Sequence, residues 1–259
     1  RMTRPVALGA RLRRNREILT LGLKPNFSDY SPGEKDQIRK AEKIYFPTAF
    51  YADLFNAMGK PTFPSFHTYK FAQDKIRQTA MFNLLDIPHP RTRVFYGRRQ
   101  KKTIQDYFSF PFIAKKGRGS ARGEHVFLIR TAGDLNAYLS FDGPAYIQEY
   151  LPIKKDMRIV IIGDKIRLAY WRKAPDHDFK TNLSQGGQVI LDPVPDKACS
   201  LALEWARACG WDDIGLDIAK HQGRFLIIEA NVKYGTRGFQ KAGIDYHQML
   251  ADLVIRKKI

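Results

Sequence analysis

Apolar residues along the chain follow two different periods, and the change from one to the other divides the sequence into helical and extended segments. Apolar positions at helical spacing predict helices over 34–43, 48–58, 69–85, 103–107, 132–138 and 196–209. Apolar or alternating runs predict strands over 93–96, 110–115, 124–129, 145–149, 156–162 and 165–171. Because several of these strands follow one another as antiparallel hairpins, the pattern predicts an α+β fold rather than a purely parallel sheet.

Two further predicted strands, 215–219 and 225–231, carry polar residues in otherwise apolar sequence. Asp217, Glu229 and Asn231 supply oxygen ligands, and Glu229 and Asn231 point to the same face because side chains alternate along a strand. Such ligands suit Mg²⁺, which completes its shell with water and substrate phosphates. The alternative interpretation is an edge hairpin whose polar residues face water.

The register of this hairpin decides whether the three ligands meet. A loop of two or four residues centred on 222–223 would place Asp217 opposite Ile228, with its side chain turned away from Glu229. We therefore expect an odd-length turn or a β-bulge at 221–225, because either brings the two carboxylates onto one face.

A glycine-rich segment, 115–123, follows one of the predicted strands. Glycines let backbone N–H groups approach phosphate oxygens, and Gly117, Gly119 and Ser120 would form such a cradle. Lys115 closes the apolar run, so its ammonium group lies beside the loop, where it can meet a nucleotide phosphate. The segment lacks the Gly-Lys-Ser/Thr ending of a P-loop and the spacing of the dinucleotide-binding fingerprint. A plain hairpin connection is the alternative.

The net charge of +18, from 44 Lys and Arg against 26 Asp and Glu, concerns partners rather than fold. Nucleic acid, nucleotide phosphates and an acidic amino-acid or peptide substrate are all compatible with it. Basic clusters at 11–16, 98–102 and 256–258 are scattered, as solvated surfaces usually are. Because no helix-turn-helix, zinc or RNA-recognition signature accompanies them, nucleic-acid binding is disfavoured as the main role.

Length and cysteine usage indicate the class of protein. The 259 residues, 44% of them hydrophobic, allow one large or two modest folded domains. Cys199 and Cys209 fall in one apolar helical pattern without metal-ligand spacing, which indicates small buried residues in a reducing compartment. No apolar run has the length of a membrane span. We therefore expect a cytoplasmic protein without a membrane partner.

The order of short motifs resembles that of the ATP-grasp ligases, most closely the RimK-type glutamate ligases, between residues 43 and 244. The segments that carry the resemblance are 74–75, 86–92, 111–115 with the glycine loop, 148–151, 156–158, 178–182 with 186–187, 215–217 and 229–231. Each segment is short, but their joint order and spacing are specific. The resemblance implies the ATP-grasp fold, in which two α+β subdomains sandwich ATP.

The resemblance also implies which residues bind the cofactors ATP and Mg²⁺, with Mn²⁺ as an alternative ion. It assigns the metal to Asp217, Glu229 and Asn231, the adenine hinge to 149–151 and the ribose to Asp156. The nucleotide contacts that it implies outside the glycine loop are Lys75, Lys115, Gln148, Glu149, Tyr150, Leu151, Asp156, Lys180, Thr181 and Asn182.

Two pairs of basic residues complete the expected site. Arg158 and Arg172 lie near the phosphates, where fixed charges would stabilise an acyl phosphate and the tetrahedral intermediate formed from it. Surface ion pairs are the alternative for these two arginines. Lys233 and Arg237 directly follow the metal ligands and would favour an acidic substrate, unless they are solvated loop charges. The sequence departs from the family here, because relatives tend to have a small residue and Pro-Gly after the asparagine.

The resemblance implies a Mg²⁺- and ATP-dependent carboxylate–amine ligase, which forms an amide through an acyl phosphate. The expected partners are ATP, an acidic small-molecule or peptide carboxylate, and an amine acceptor. The expected divisions are a shortened N-terminal unit over 1–66, a central lid subdomain over 67–150 and a C-terminal subdomain with the metal site over 151–259. An ATP-grasp kinase and a non-catalytic module that binds nucleotide or nucleic acid remain alternatives, and homo-oligomerisation is left open.

Overall fold

The first part of the chain forms a small parallel sheet that the hydrophobic pattern did not predict. The computed structural model describes residues 4–72, 74–116, 126–174 and 187–259. The sheet has the order β2-β1-β3-β4, with all neighbours parallel. Its strands are β1 Val6–Ala7, β2 Leu19–Thr20, β3 Ile44–Tyr45 and β4 Thr62–Phe63. Each strand has two residues, which is too short for alternation to be recognised.

Two helices pack on this sheet and confirm the predictions over 34–43 and 48–58. They are α1 Pro32–Lys40 and α2 Thr48–Ala57. Helix α1 begins with a capping box, in which the Ser31 side chain accepts from the Glu34 amide and the Glu34 carboxylate accepts from the Ser31 amide. Its single buried residue, Ile38, joins the same apolar cluster as Phe55 of α2.

The single helix predicted over 69–85 is wrong, because the chain forms two helices there. They are α3 Phe66–Ala72 and α4 Lys75–Leu84. Asp74 separates them: its backbone is extended, and its carboxylate accepts hydrogen bonds from the amides of Ile76 and Arg77 at 3.0 and 3.2 Å. This N-cap satisfies orphan donors at the start of α4 and so fixes where Lys75 lies.

The second sheet is antiparallel and has the order β5-β8-β6-β7. Its strands are β5 Thr92–Phe95, β6 Phe112–Lys116, β7 Val126–Ile129 and β8 Ala145–Glu149. The helices beside it are α5 Gly97–Lys101, α6 Ile104–Tyr107 and α7 Ala132–Leu139. Phe112 and Ala114 of β6 pack with Ile147 of β8 in the core of this unit. Lys115 therefore lies on the opposite face of β6, away from this core.

The third sheet holds the predicted acidic hairpin. Its order is β11-β10-β9-β12-β13, and all neighbours are antiparallel. The strands are β9 Lys155–Ile162, β10 Lys165–Lys173, β11 Gln188–Ile190, β12 Asp213–His221 and β13 Arg224–Asn231. The helices that follow or precede them are α8 Asp196–Ala208, α9 Arg237–Lys241 and α10 Tyr246–Ile255. With the second sheet, this arrangement confirms the α+β fold.

The two faces of the third sheet differ in character along the central strand β9. Met157, Ile159 and Ile161 point to one face, where they pack in a core with residues of α8. Val160 and Ile162 point to the other face, where they pack with α10 and with residues of the N-terminal sheet. Asp156 and Arg158 share that second face, because side chains alternate along a strand. One half of this face is therefore apolar and covered, whereas the other half is charged.

No helix in the described ranges is long and apolar enough to span a membrane.

Candidate nucleotide and metal site

The hairpin of β12 and β13 contains the β-bulge that the expected chemistry requires. Its turn has two residues, Gln222 and Gly223, with φ angles of 46° and 77°. Asp217 pairs with Glu229, but the next pair is Ile218 with Ile227, so residue 228 is the extra residue. The predicted bulge is confirmed, but its predicted position at 221–225 is wrong.

The reason for the difference lies in the turn. A two-residue turn with positive φ at both positions matches the twist of a hairpin and needs no adjustment of its own. The bulge forms four residues further along β13, where the amide of Ile227 donates to the carbonyl oxygen of Pro88 at 2.9 Å. The carbonyl oxygen of Pro88, in the loop before β5, thus satisfies an amide N–H beside the bulge. The bulge brings the two carboxylates onto one face.

Asp217 lies between two arginines in the charged half of the sheet. Arg158 donates from Nε to Oδ1 and from Nη2 to Oδ2, the latter at 3.0 Å. Arg172 approaches Oδ2 with its Nη2 atom at 2.9 Å, and Asn231 donates its amide N–H to the same oxygen at 3.3 Å. Burial would raise the pKa of Asp217, but the two guanidinium groups outweigh burial and lower it.

The two arginines are themselves held by protein acceptors. Arg172 also donates from Nε to Asp156 at 2.8 Å and makes a second bond to that carboxylate through Nη2. Arg158 donates from Nη1 to the carbonyl oxygen of Tyr234 at 2.8 Å. Because all four ionic side chains are buried, each needs an opposite charge beside it, and the alternation of Arg158, Asp217, Arg172 and Asp156 supplies one.

Lys75 and Lys115 face Glu229 from two other elements. Lys75, at the first position of α4, places its Nζ 2.8 Å from Oε1 of Glu229. Lys115, on β6, is buried with its Nζ 5.7 Å from the centre of the Tyr146 ring. Burial lowers the pKa of Lys115 to about 8; Glu229 opposes this shift, whereas the charge of Lys75 adds to it. Burial would raise the pKa of Glu229, but the two lysines outweigh it and lower the pKa.

These groups line a narrow cleft between α4, the second sheet and β13. Its polar lining consists of Lys75, Gln78, Thr79, His89, Lys115, Tyr146, Gln148 and Glu229. Four of these residues, Gln78, Thr79, His89 and Tyr146, were not predicted as site residues. The signal for the first two was the presence of polar residues on the buried side of α4. Thr79 shares a hydrogen bond with the Tyr146 hydroxyl at 2.7 Å, and Gln78 bonds to the amide and the carbonyl of Ala230.

The residues expected to bind adenine lie at the end of β8 and beyond it. Gln148 is buried and donates to Oγ1 of Thr92 at 2.9 Å. Glu149 accepts a hydrogen bond from the amide of Arg91 at 2.6 Å through its carboxylate. Tyr150 and Leu151 are half-buried in the segment between β8 and β9, which connects the second and third sheets as a hinge would.

Two further predicted site residues follow strand β13. Lys233 lies exposed in the loop after β13, and Arg237 lies exposed at the start of α9. The predictions for Gly117, Gly119, Ser120, Lys180, Thr181 and Asn182 fall outside the described residues. Within the described ranges, no group of three or more His, Cys, Asp or Glu side chains is placed to hold a metal ion. The predicted metal set has only two carboxylates, and its third ligand is the amide of Asn231. It therefore stays a prediction.

Comparison with protein-family models places this chain in a known class. Residues 72–254 match the RimK-like ATP-grasp domain, and the chain belongs to this family. Among curated relatives, β-citrylglutamate synthase B from Danio rerio is 29% identical over 179 residues, which cover 65% of this chain and 44% of that protein. Ribosomal protein bS6–L-glutamate ligase from Escherichia fergusonii is 27% identical over 182 residues, which cover 67% of this chain and 60% of that protein. The chain thus spans about half the length of the curated relatives it matches.

Solved structures extend the similarity of the fold to almost the whole chain. ATP-grasp ligase PsnB, in a complex with a phosphomimetic variant of its minimal precursor, Mg and ADP, aligns with a TM-score of 0.72 at 18% identity and covers 99% of both chains. D-alanine–D-alanine ligase from Bacillus anthracis aligns with a TM-score of 0.68 at 14% identity and covers 98% of both chains. At these identities the similarity establishes the fold alone.

Proposed function

We propose that this protein is a Mg²⁺- and ATP-dependent carboxylate–amine ligase that forms an amide through an acyl phosphate. The observation that carries the proposal is the facing of Lys75 and Lys115 with Glu229 across the cleft, with Asp217 paired to Glu229 on the neighbouring strand. The lysines suit nucleotide phosphates, and the carboxylates suit the cation that accompanies them. The names of its relatives as ligases and synthases support the reaction class.

The donor set fits a magnesium ion bound with a nucleotide. Asp217 and Glu229 face each other on neighbouring strands, and Asn231 is in contact with Asp217. Lowered pKa values keep both carboxylates ionised at neutral pH. Each carboxylate is balanced by cations of the chain itself, which a metal ion would replace or join. When bound, Mg²⁺ would neutralise charge on the phosphate oxygens during transfer.

The residues of the chain have separate parts in the proposed reaction. Lys75 and Lys115 bind and orient the phosphates of ATP. A carboxylate oxygen of the substrate attacks the γ-phosphorus, and the bond to the bridging oxygen breaks, so that ADP leaves. The amine nitrogen of the second substrate then attacks the acyl carbon, phosphate leaves and the amine loses a proton. Because Arg158 and Arg172 are bonded to carboxylates, we assign them first to holding Asp217 in place.

The charge of the protein supports an acidic substrate. Lys233 and Arg237 are exposed and follow the strand that carries Glu229 and Asn231. Two such cations, close in sequence to the expected metal ligands, would attract a glutamate- or aspartate-like carboxylate or an acidic peptide. The net charge of +18 would speed its capture at low ionic strength.

Mass spectrometry of the products tests the proposal directly. The protein is incubated with ATP, Mg²⁺ and a panel of acidic amino acids and peptides, together with amine acceptors. An amide product accompanied by ADP and phosphate is the expected result. A phosphate ester would instead assign a kinase, and binding of Mg-ATP without any product would assign a non-catalytic module.

A matched pair of variants ties the result to the cleft. Glu229→Gln removes one of the expected metal ligands with little change in volume, and we expect it to abolish turnover. Glu204→Gln removes an exposed carboxylate of α8 and should leave turnover unchanged. Near-wild-type ATP consumption by Glu229→Gln would refute the assignment of the metal site.

A further inference from the structure

A second buried charge cluster lies on β12, four residues before Asp217. Asp213 is completely buried. Its Oδ2 accepts a hydrogen bond from Nη1 of Arg11 at 3.1 Å, and its Oδ1 accepts one from the Tyr234 hydroxyl at 2.6 Å. The hydroxyl of Tyr246 lies 3.2 Å from the same Arg11 nitrogen and 3.0 Å from the Tyr234 hydroxyl. Arg11, which the sequence placed in a solvated basic run, is therefore an internal partner of this cluster.

At the position of Asp213, burial of an apolar side chain would cost less free energy than burial of a carboxylate. Asp213 pairs in the sheet with Ile162, and the surrounding core contains Val160, Phe239 and Leu250. The free energy that is lost when a carboxylate is buried in such surroundings exceeds the stabilisation that one partly exposed arginine and one tyrosine hydroxyl provide. The raised pKa of Asp213, about 6 because of burial, is consistent with this incomplete compensation. The ionic group is thus not explained by stability.

Tyr234 connects this cluster to the candidate site. Its hydroxyl donates to Asp213, and its carbonyl oxygen accepts from Nη1 of Arg158. Its side chain lies over Gly215, where an added Cβ atom would be 2.4 Å from Cβ of Tyr234. The other two donor positions of Arg158 bind Asp217. The third acceptor of Arg158 is the Tyr234 carbonyl oxygen, so the position of Tyr234 determines where this acceptor lies.

We propose that Asp213 is a positioning residue, which holds the Tyr234 hydroxyl so that the Tyr234 carbonyl fixes Arg158 against Asp217. Arg11 supplies the charge that lets Asp213 remain ionised in this place. The loop that contains Tyr234 is the one in which the sequence departs from the Pro-Gly pattern of the family. The inference rests on the proposed function only for its kinetic consequences, because the contacts themselves can be measured without turnover.

The first experiment measures Arg158 itself. In ¹H–¹⁵N spectra of the arginine side chains, the Nε–H signal of Arg158 is assigned with the Arg158→Lys variant, and its exchange with water is followed. Tyr234→Phe removes the hydroxyl that Asp213 holds but keeps the ring and the carbonyl. We expect exchange at Arg158 to become about tenfold faster, the factor that corresponds to the loss of one hydrogen bond.

Tyr45→Phe is the matched control. It also removes a buried tyrosine hydroxyl, which donates to the carbonyl oxygen of Ile259 at 3.0 Å, but it has no described bond to Arg158 or Asp213. Exchange at Arg158 should be unchanged in this variant. Equal exchange rates in the two variants would overturn the proposal, because Tyr234 would then stabilise the fold without positioning Arg158.

A kinetic experiment separates positioning from general stability. Asp213→Asn and Tyr234→Phe should lower kcat about tenfold while the KM for ATP stays within about twofold, because the lysines that bind the phosphates lie elsewhere. Arg11→Lys keeps the compensating charge and should retain most of kcat. Parallel changes in kcat and in the KM for ATP would overturn the proposal. Altered Arg158 exchange in a protein that gives no product would refute the proposed function and leave this inference standing.

Discussion

Asp217 and Asp213 lie on the same face of the same strand, yet their surroundings shift their pKa values in opposite directions. Asp217 is paired with two arginines, and its pKa is lowered although it is buried. Asp213 is paired with one arginine and a tyrosine, and burial raises its pKa to about 6. The two aspartates share residue type, strand and burial, so the number of nearby cations decides the direction of the shift.

The comparison separates a carboxylate that is prepared for a ligand from a carboxylate that positions its neighbours. A carboxylate between two fixed cations stays ionised and remains able to accept a metal ion. A carboxylate with one cation and hydroxyl donors satisfies its hydrogen bonds internally, and in the described structure it has no open side. In the charged half of the sheet face, Asp217 can take part in metal binding. In the covered half, Asp213 can position Arg158 through Tyr234.

The largest expected difference between the two aspartates is in stability after removal of the charge. Asp217→Asn leaves Arg158 and Arg172 with Asp156 as their nearest remaining carboxylate, so we expect a loss of about 3–5 kcal/mol in the free energy of unfolding. Asp213→Asn leaves Arg11, whose side chain is 31% exposed and can be solvated, so we expect a loss of about 1 kcal/mol. Urea denaturation at pH 7 measures both. Equal losses would mean that Arg158 and Arg172 do not depend on Asp217.

The pH dependence of stability sharpens the same contrast. The pKa of Asp213 is higher in the folded protein, about 6, than in the unfolded chain, about 3.9. Its contribution to stability is therefore fully present below about pH 4 and is lost as the pH rises through about 6. We expect wild type to lose about 2–3 kcal/mol relative to Asp213→Asn over this interval. The groups around Asp213 that could modify the shift are Arg11, Tyr234, Tyr246 and Asp212.

Asp217 should show the opposite sign. Its pKa is lower in the folded protein than in the unfolded chain, so its contribution is present above about pH 4 and is lost as the pH falls further. Denaturation curves between pH 3 and pH 7 for wild type and each variant give both differences. A difference between wild type and Asp213→Asn that is independent of pH would contradict the assignment of a titrating, buried carboxylate.

The sequence predicted the hairpin because Asp217, Glu229 and Asn231 each interrupt an apolar strand at a position where burial is costly. It also predicted the need for a bulge, since a two-residue turn alone puts the carboxylates on opposite faces. It could not predict the position of the bulge, which depends on a hydrogen bond from Ile227 to the distant Pro88.

Other features escaped prediction because they depend on partners far apart in the chain. Arg11 and Asp213 are 202 residues apart, and Arg11 lies in a basic run that is typical of solvated surface. The N-terminal strands have two residues each and therefore no recognisable period. The division between α3 and α4 was missed because the N-cap at Asp74 was not recognised within a continuous helical pattern.

Gly215 offers a test of the connection between the two clusters. Gly215→Ala would add a Cβ atom 2.4 Å from Tyr234 and 3.1 Å from Cδ of Arg158. Overpacking of this kind costs about 1–3 kcal/mol, and it should disturb Arg158 as Tyr234→Phe does. The control is Gly33→Ala in α1, where nothing lies within 4 Å of the added atom and where alanine favours a helix by about 1 kcal/mol. Thermal denaturation of both variants gives the comparison, and a neutral Gly215→Ala would show that Tyr234 is free to move.

The smallest expected effect concerns a cation outside both buried clusters. Arg237 is exposed at the start of α9, and its charge is partly screened by solvent, so its removal should change substrate attraction by less than about 1 kcal/mol. Arg237→Ala should raise the KM for an acidic substrate a few-fold while the KM for ATP barely changes. Arg256→Ala removes the same charge from the exposed end of α10 and controls for the effect of net charge. If both variants raise the KM equally, long-range attraction by the +18 protein explains the effect. If acidic and neutral substrates show equal kinetics in wild type and in Arg237→Ala, the proposed preference for an acidic substrate is wrong.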